Sequence, residues 1–154
     1  MSGGNLTIGH VSVPAGNPRE LAVFYGDLLG LEQSMAGSIP QLGDFVFLSR
    51  RAQDEMPLIA LCTEPKSRHT AIEVESLTAL KNVYAHSKAT GIPVSFAMNH
   101  GCSLSLYFHD PEGNLLEIFW ATGIKTHEPV AEPVQPEALE RPEEELFDLI
   151  GVPA

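Results

Sequence analysis

Residues 6–62 and 69–120 pass through the same succession of elements: a strand, a helix, then three strands. In the first pass, residues 6–13 alternate around β-favouring side chains and read as a strand. Asn17-Pro18-Arg19-Glu20 then carries a helix start: a capping Asn, proline at the first helical position, and Glu three residues after the cap. Leu21, Phe24, Tyr25 and Leu28 continue it as an apolar stripe, and Gly30 ends it. Strands are expected at 32–35, 44–48 and 57–62. In the second pass a strand at 69–74 leads to Ser76, a helix cap, and to a stripe of Leu77, Leu80, Val83 and Tyr84. Gly91 stops this helix, Pro93 forbids its continuation, and strands follow at 94–98, 104–108 and 115–120. A repeat of about fifty residues, weak in identity and clear in order, predicts an α+β fold built from two βαβββ modules, about 5–62 and 67–121.

The chain has 154 residues, enough for one domain with a sizeable core. A boundary near 126 separates that domain, 1–126, from a Pro- and Glu-rich arm, 127–154. The arm is expected to run extended over the surface, with a short helix near 142–150 carrying Leu146, Phe147 and Ile150 on one side. It is free to cover a cavity mouth, pack on a second subunit or stay mobile. The net charge of −11 makes the chain a poor candidate for phosphate-backbone binding, so no nucleic-acid partner is expected. No apolar run approaches the roughly 20 residues of a membrane span. The first five residues lack signal-peptide features, so a cytoplasmic protein is expected. Cys62 and Cys102 form neither a metal motif nor a disulfide framework and read as small buried hydrophobes. Uncovered sheet edges predict a homo-oligomer.

Three residues carry the chemistry. His10 and His69 occupy matching places at the opening strands of the two modules, and Glu117 sits on the closing strand of the second. Two imidazoles and a carboxylate can occupy one face of a divalent cation and leave positions open, a donor set suited to Fe(II), with Mn(II) second. The flanks of Glu117 are apolar, and a carboxylate in that setting needs a partner charge. Asp110-Pro-Glu-Gly-Asn114 is a strong turn sequence. Centring it at Glu112 puts Tyr107 opposite Glu117, so Ser103, Ser105, Tyr107, Leu115, Glu117 and Phe119 share one face. The opposite face, with Leu104, Leu106, Phe108, Leu116, Ile118 and Trp120, is apolar enough to pack against helices. Tyr107 then either bonds a substrate oxygen or packs in a cavity wall. His100, before Gly101, either bonds dioxygen or sits in an exposed loop. His86 and His127 read as exposed, and His109 is assigned to the face opposite Tyr107 and left out of the site.

The stretches IGHVSV around His10, RHTAIEV around His69 and HGCSLSLYFHDPEGNLLEIFW from His100 to Trp120 resemble the vicinal oxygen chelate superfamily, which contains glyoxalase I, bleomycin-resistance proteins and type I extradiol dioxygenases. The resemblance covers roughly residues 5–121. Its last stretch looks like the closing segment of single-domain extradiol dioxygenases, with His100, Tyr107 and Glu117 at matching places. It implies paired βαβββ modules forming a half-open barrel around a metal held by His10, His69 and Glu117. It also implies catalytic roles for His100 and Tyr107. Glyoxalase I-like members supply a fourth ligand near the end of the first module, where this chain has Ala60. Similar extradiol dioxygenases carry an acid–base His before the second ligand, where this chain reads Asp54-Glu55-Met56-Pro57-Leu58.

Three activities therefore stand as expectations. The first is an Fe(II)-dependent extradiol dioxygenase that cleaves a catecholic ring with O2, its partners being a small aromatic diol and dioxygen. The second is a metal-dependent lyase or isomerase on the same fold, favoured by the missing acid–base His. The third is a binding protein that holds a small aromatic compound without turning it over. No Ser-His-Asp constellation, nucleotide-binding glycine fingerprint or P-loop is present.

Overall fold

A computed structural model describes residues 5–54 and 56–151. The expected succession of strand, helix and three strands occurs twice, and the chain divides into two compact units, one of residues 9–70, the other of residues 71–151 with residues 5–8. Among the described residues no helix is long and apolar enough to cross a membrane.

The first unit runs β1 (Leu6–Pro14), α1 (Pro18–Leu29), β2 (Glu32–Ile39), β3 (Gly43–Ser49) and β4 (Ile59–Cys62). Asn17 caps α1 as its sequence requires: its side chain accepts from the Glu20 N–H at 3.3 Å, and Glu20 answers at 3.2 Å. Gly30, at φ 70, closes the helix in the left-handed region that a Cβ disfavours. The strands lie in the order β2-β3-β4-β1, with β1 and β4 parallel and the other pairs antiparallel. One face of this sheet packs Val46, Leu48, Ile59 and Leu61 against Leu21, Ala22 and Tyr25 of α1. The expected stripe needs correction: Phe24 and Leu28 are 55% and 64% exposed. The sheet takes up Pro18, Leu21, Ala22 and Tyr25, an i, i+3, i+4, i+7 set, and Phe24 lies off that stripe while Leu28 falls in the last turn. The other face carries Phe45, Ala60 and Cys62, with Met35, Ile39 and Phe47 beside them.

The second unit runs β5 (Thr70–Val74), α2 (Leu77–Thr90), β6 (Phe96–Asn99), β7 (Ser103–His109) and β8 (Leu115–Ala121). Ser76 caps α2 through the Ala79 N–H at 3.1 Å. The strand order is β5-β8-β7-β6-β9. The last of these, β9 (Glu132–Val134), comes from the arm and pairs antiparallel with β6. The arm goes on through a 3-10 turn at Pro136–Glu140 to α3 (Glu143–Ile150). The short helix is as expected, but the arm is not merely draped over the surface. Its Ala138, Leu139, Leu146 and Ile150 join Leu77, Leu80, Tyr84, Leu104, Leu106 and Phe108 in one core. Among the prolines and acids, the two expected side chains Leu146 and Ile150 are joined by Ala138 and Leu139, and burying the four favours a docked arm over a free one.

If that core is continuous, Leu146→Ala destabilises the protein by about 2–5 kcal/mol, the usual cost of emptying a buried leucine site. Leu149→Ala, at a half-exposed position, changes stability by less than about 1 kcal/mol. Urea denaturation of the full chain measures both; equal, small losses would show that the arm is not part of the core.

Candidate metal centre

In the first unit, β1 turns His10 and Ser12 to the face away from α1, because Val13 packs on the helix side and strand side chains alternate. His10 is 8% exposed. His69 directly precedes β5 rather than opening it, and its carbonyl accepts the Ser12 N–H at 3.0 Å, which ties its backbone to β1. The structure brings the two imidazoles together: Nε2 of His10 lies 3.0 Å from Nε2 of His69, with the rings nearly perpendicular.

The protons on this pair follow from a third contact. Nδ1 of His69 lies 2.6 Å from the Ser67 carbonyl oxygen. A carbonyl oxygen only accepts, so Nδ1 carries the hydrogen, and in the neutral ring Nε2 presents a bare lone pair. Facing nitrogens at 3.0 Å share either a proton or a cation. Two imidazoles bound at right angles to one divalent ion, each at about 2.0–2.1 Å, stand about 3 Å apart. Spacing, burial and tautomer thus fit a metal, and a backbone carbonyl fixing the other ring nitrogen is how metal-binding imidazoles are commonly oriented.

In the second unit, the turn after β7 sets the register. Asp110 Oδ1 accepts from the N–H groups of Glu112 and Asn114 at 2.9 and 2.8 Å, and Gly113 takes φ 85. Tyr107 pairs with Glu117 as expected. Glu117 is 2% exposed. Ser105 donates to its Oε1 at 2.6 Å, and Ser103 lies 3.4 Å from Ser105. Burial, and then the Glu117 carboxylate, pushes the Tyr107 phenol well above its usual range, so it is protonated at neutral pH. The Tyr107 ring stacks on Phe96 with centroids 4.3 Å apart. Its hydroxyl lies 2.9 Å from His100 Nε2, and His100 Nδ1 lies 2.8 Å from the Val130 carbonyl. His100 is thus half-buried and bonded at both nitrogens, not a loop histidine in solvent.

Other expectations resolve individually. Ala60 is buried on β4 and offers no fourth ligand. Asp54 accepts from the Arg51 N–H at 3.0 Å and pairs with its guanidinium at 2.9 Å, so it serves its own loop; Glu55 lies outside the described residues. His109 requires a correction, since residues two apart in a strand share a face: it shares parity with Tyr107, but sits exposed at the strand end and bonds Ser95 at 2.8 Å. His86 and His127 are exposed. Cys62 is buried and Cys102 half-buried, both free, and burial pushes both thiols up. The sequence reading gave Ser105 no role, although two serines alternating through an apolar strand on the side of Glu117 were the signal. The Val130 carbonyl had none, because any residue supplies one.

Residues 7–118 match the Glyoxalase/Bleomycin resistance protein/Dioxygenase superfamily. The chain belongs to that superfamily. A biphenyl-2,3-diol 1,2-dioxygenase of Rhodococcus globerulus is 38% identical over 50 residues, which are 32% of this chain and 26% of that protein. The solved structure of the 2,3-dioxygenase LapB from Pseudomonas sp. KL28 matches with a TM-score of 0.63 at 20% identity, over 80% of this chain and 46% of LapB. The methylmalonyl-CoA epimerase of Streptomyces coelicolor matches with a TM-score of 0.57 at 17% identity, over 78% of this chain and 97% of the epimerase. The chain thus spans less than half the length of these dioxygenases. At such identities the structural likeness shows the fold, which all three share.

Ser105→Ala removes the short hydrogen bond that holds the buried Glu117 carboxylate. It is expected to cost about 1–3 kcal/mol in urea denaturation, and Ser103→Ala, with its longer contact, less. An undiminished midpoint for Ser105→Ala would show that Glu117 draws no support from it.

Proposed function

We propose that this protein is an extradiol-type dioxygenase in which His10, His69 and Glu117 hold one Fe(II). The observation that carries the metal assignment is the His10–His69 pair, two buried or half-buried imidazoles 3.0 Å apart with one tautomer set by a backbone carbonyl. Glu117 supplies the negative charge that a two-imidazole site lacks, and Ser105 holds one of its carboxylate oxygens in place. Fe(II) is the first assignment and Mn(II) the second. A ferrous ion supplies Lewis acidity toward two adjacent hydroxyl oxygens and the redox capacity that dioxygen chemistry needs.

The protein's own groups do the rest. Tyr107 and His100 form a hydrogen-bonded pair able to hold and move a proton at the Tyr107 oxygen. Phe96, stacked on Tyr107, restricts where that oxygen can go. The substrate is a small aromatic diol: the ring opens beside the diol and both oxygen atoms enter the product, so no external reductant is consumed. The 38% identity to a biphenyl-diol dioxygenase supports this reading. A cytoplasmic, homo-oligomeric protein remains the expectation.

A metal-dependent lyase or isomerase is the second reading. Two observations favour it: Asp54, near the place of the missing acid–base His, is engaged by Arg51, and the methylmalonyl-CoA epimerase matches over nearly its whole length. Dioxygen separates the two.

Protein loaded anaerobically with Fe(II), then given air and a panel of catechols, is expected to consume oxygen and form yellow ring-opened product. His10→Ala, His69→Ala and Glu117→Ala are each expected to lose at least about 1,000-fold in turnover, and Tyr107→Phe about 100-fold, the scale of a proton-transfer group. Metal-loaded protein that takes up no oxygen with any diol contradicts the dioxygenase. Oxygen-independent turnover with Co(II) or Ni(II) selects the second reading.

A further inference from the structure

The carbonyl that meets His100 belongs to Val130, thirty residues away in the arm. Three features fix the arm there. β9 pairs with β6, placing Val134 opposite Ala97, Pro133 opposite Met98 and Glu132 opposite Asn99. The buried Asn99 amide reaches the Glu132 carboxylate at 3.4 Å and the Ile150 carbonyl at 3.3 Å, while its Oδ1 takes the Gly101 N–H at 2.8 Å. Gly101 itself sits at φ 71, and a Cβ there would stand 2.7 Å from Thr126 Cγ2 and 3.7 Å from Val130 Cγ2. Glycine is what lets the arm lie against the turn carrying His100.

A carbonyl oxygen has lone pairs and no hydrogen, so Nδ1 of His100, 2.8 Å away, must carry a proton. In the neutral ring Nε2 is then a bare acceptor, 2.9 Å from the Tyr107 hydroxyl oxygen. The opposite tautomer would set the Nδ1 lone pair against the carbonyl lone pairs. We propose that the C-terminal arm is a positioning element of the site: the Val130 carbonyl locks His100 as its Nδ1–H tautomer and so presents Nε2 as the acceptor beside the Tyr107 hydroxyl. This rests on His100 and Tyr107 being site residues. Val130 acts through His100 and touches no substrate. The fold thereby ties the order of a segment outside the repeated modules to the proton position on one site imidazole.

The test is the tautomer itself, read by long-range proton–nitrogen correlation in full-length protein labelled with 15N-histidine, at a pH where imidazole is neutral. His100→Asn assigns the signals. The wild type is expected to show His100 as a single Nδ1–H species. Gly101→Ala drives a methyl toward Thr126, and Asn99→Ala removes the bonds to Glu132 and Ile150. In whichever variant hydrogen exchange at residues 130–134 is at least about tenfold faster than in the wild type, His100 is expected to become an exchanging mixture of tautomers. An Nε2–H or mixed His100 in the wild type overturns the proposal, and so does a freed arm with the single tautomer unchanged. Should neither variant fold, the wild-type tautomer decides alone. The readout needs neither metal nor diol, so failure of ring cleavage leaves it standing, and ring cleavage with a mixed tautomer overturns it alone.

Discussion

A carboxylate at 2% exposure is the constraint around which the second module is arranged. Moving an ionised group out of water costs several kcal/mol unless partners compensate. The chain provides for Glu117 in layers: a serine hydroxyl at 2.6 Å, a second serine behind the first, and a phenol opposite it on the next strand. Each lies on the same face of a hairpin whose far face is apolar and packed on α2. The hairpin turn matters because a slip of one residue would drive Glu117 into that apolar core and turn Leu116 or Ile118 toward the serines. Asp110, accepting two backbone N–H groups, holds the register against such a slip.

The histidines are governed differently. Their burial is modest in cost because the neutral ring needs only one donor and one acceptor. What distinguishes them is that backbone carbonyls, Ser67 for His69 and Val130 for His100, dictate which nitrogen is protonated. In both rings Nε2 is left as the acceptor. At His69 that lone pair faces another imidazole and suits a cation; at His100 it faces a phenol and suits a proton. One device thus prepares two nitrogens for two kinds of chemistry.

Much of this was legible in the sequence because it depends on periodicity and punctuation. The caps at Asn17 and Ser76, the stops at Gly30 and Gly91, and the pairing of Tyr107 with Glu117 follow from local rules that tertiary packing did not override. The stripe on α1 failed at Phe24 and Leu28 because the hydrophobic residues of that helix outnumber the positions the sheet covers, and spacing alone does not say which side wins. The apolar side of the arm helix, Leu146, Phe147 and Ile150, was legible from spacing, but what it packs on was not, because the partners Leu77, Leu80 and Leu104 lie far away in sequence. Strand β2 runs on to Ile39, beyond the expected 32–35, and at Gly37 the missing Cβ makes room for the Phe45 ring, 3.1 Å away from where that atom would stand. Hydrogen bonds to carbonyls left no trace in residue identity, so the tautomers of His69 and His100 were beyond any reading of the sequence.

The most direct test is an anaerobic titration of metal-free protein with Fe(II), followed by X-ray absorption at the iron edge. If the two imidazoles and the late-strand carboxylate share one ion, binding saturates at one equivalent per chain, and the spectrum shows imidazole nitrogen and carboxylate oxygen ligands that His10→Ala and Glu117→Ala each remove. Binding that survives both substitutions, or none at all in the intact protein, contradicts it.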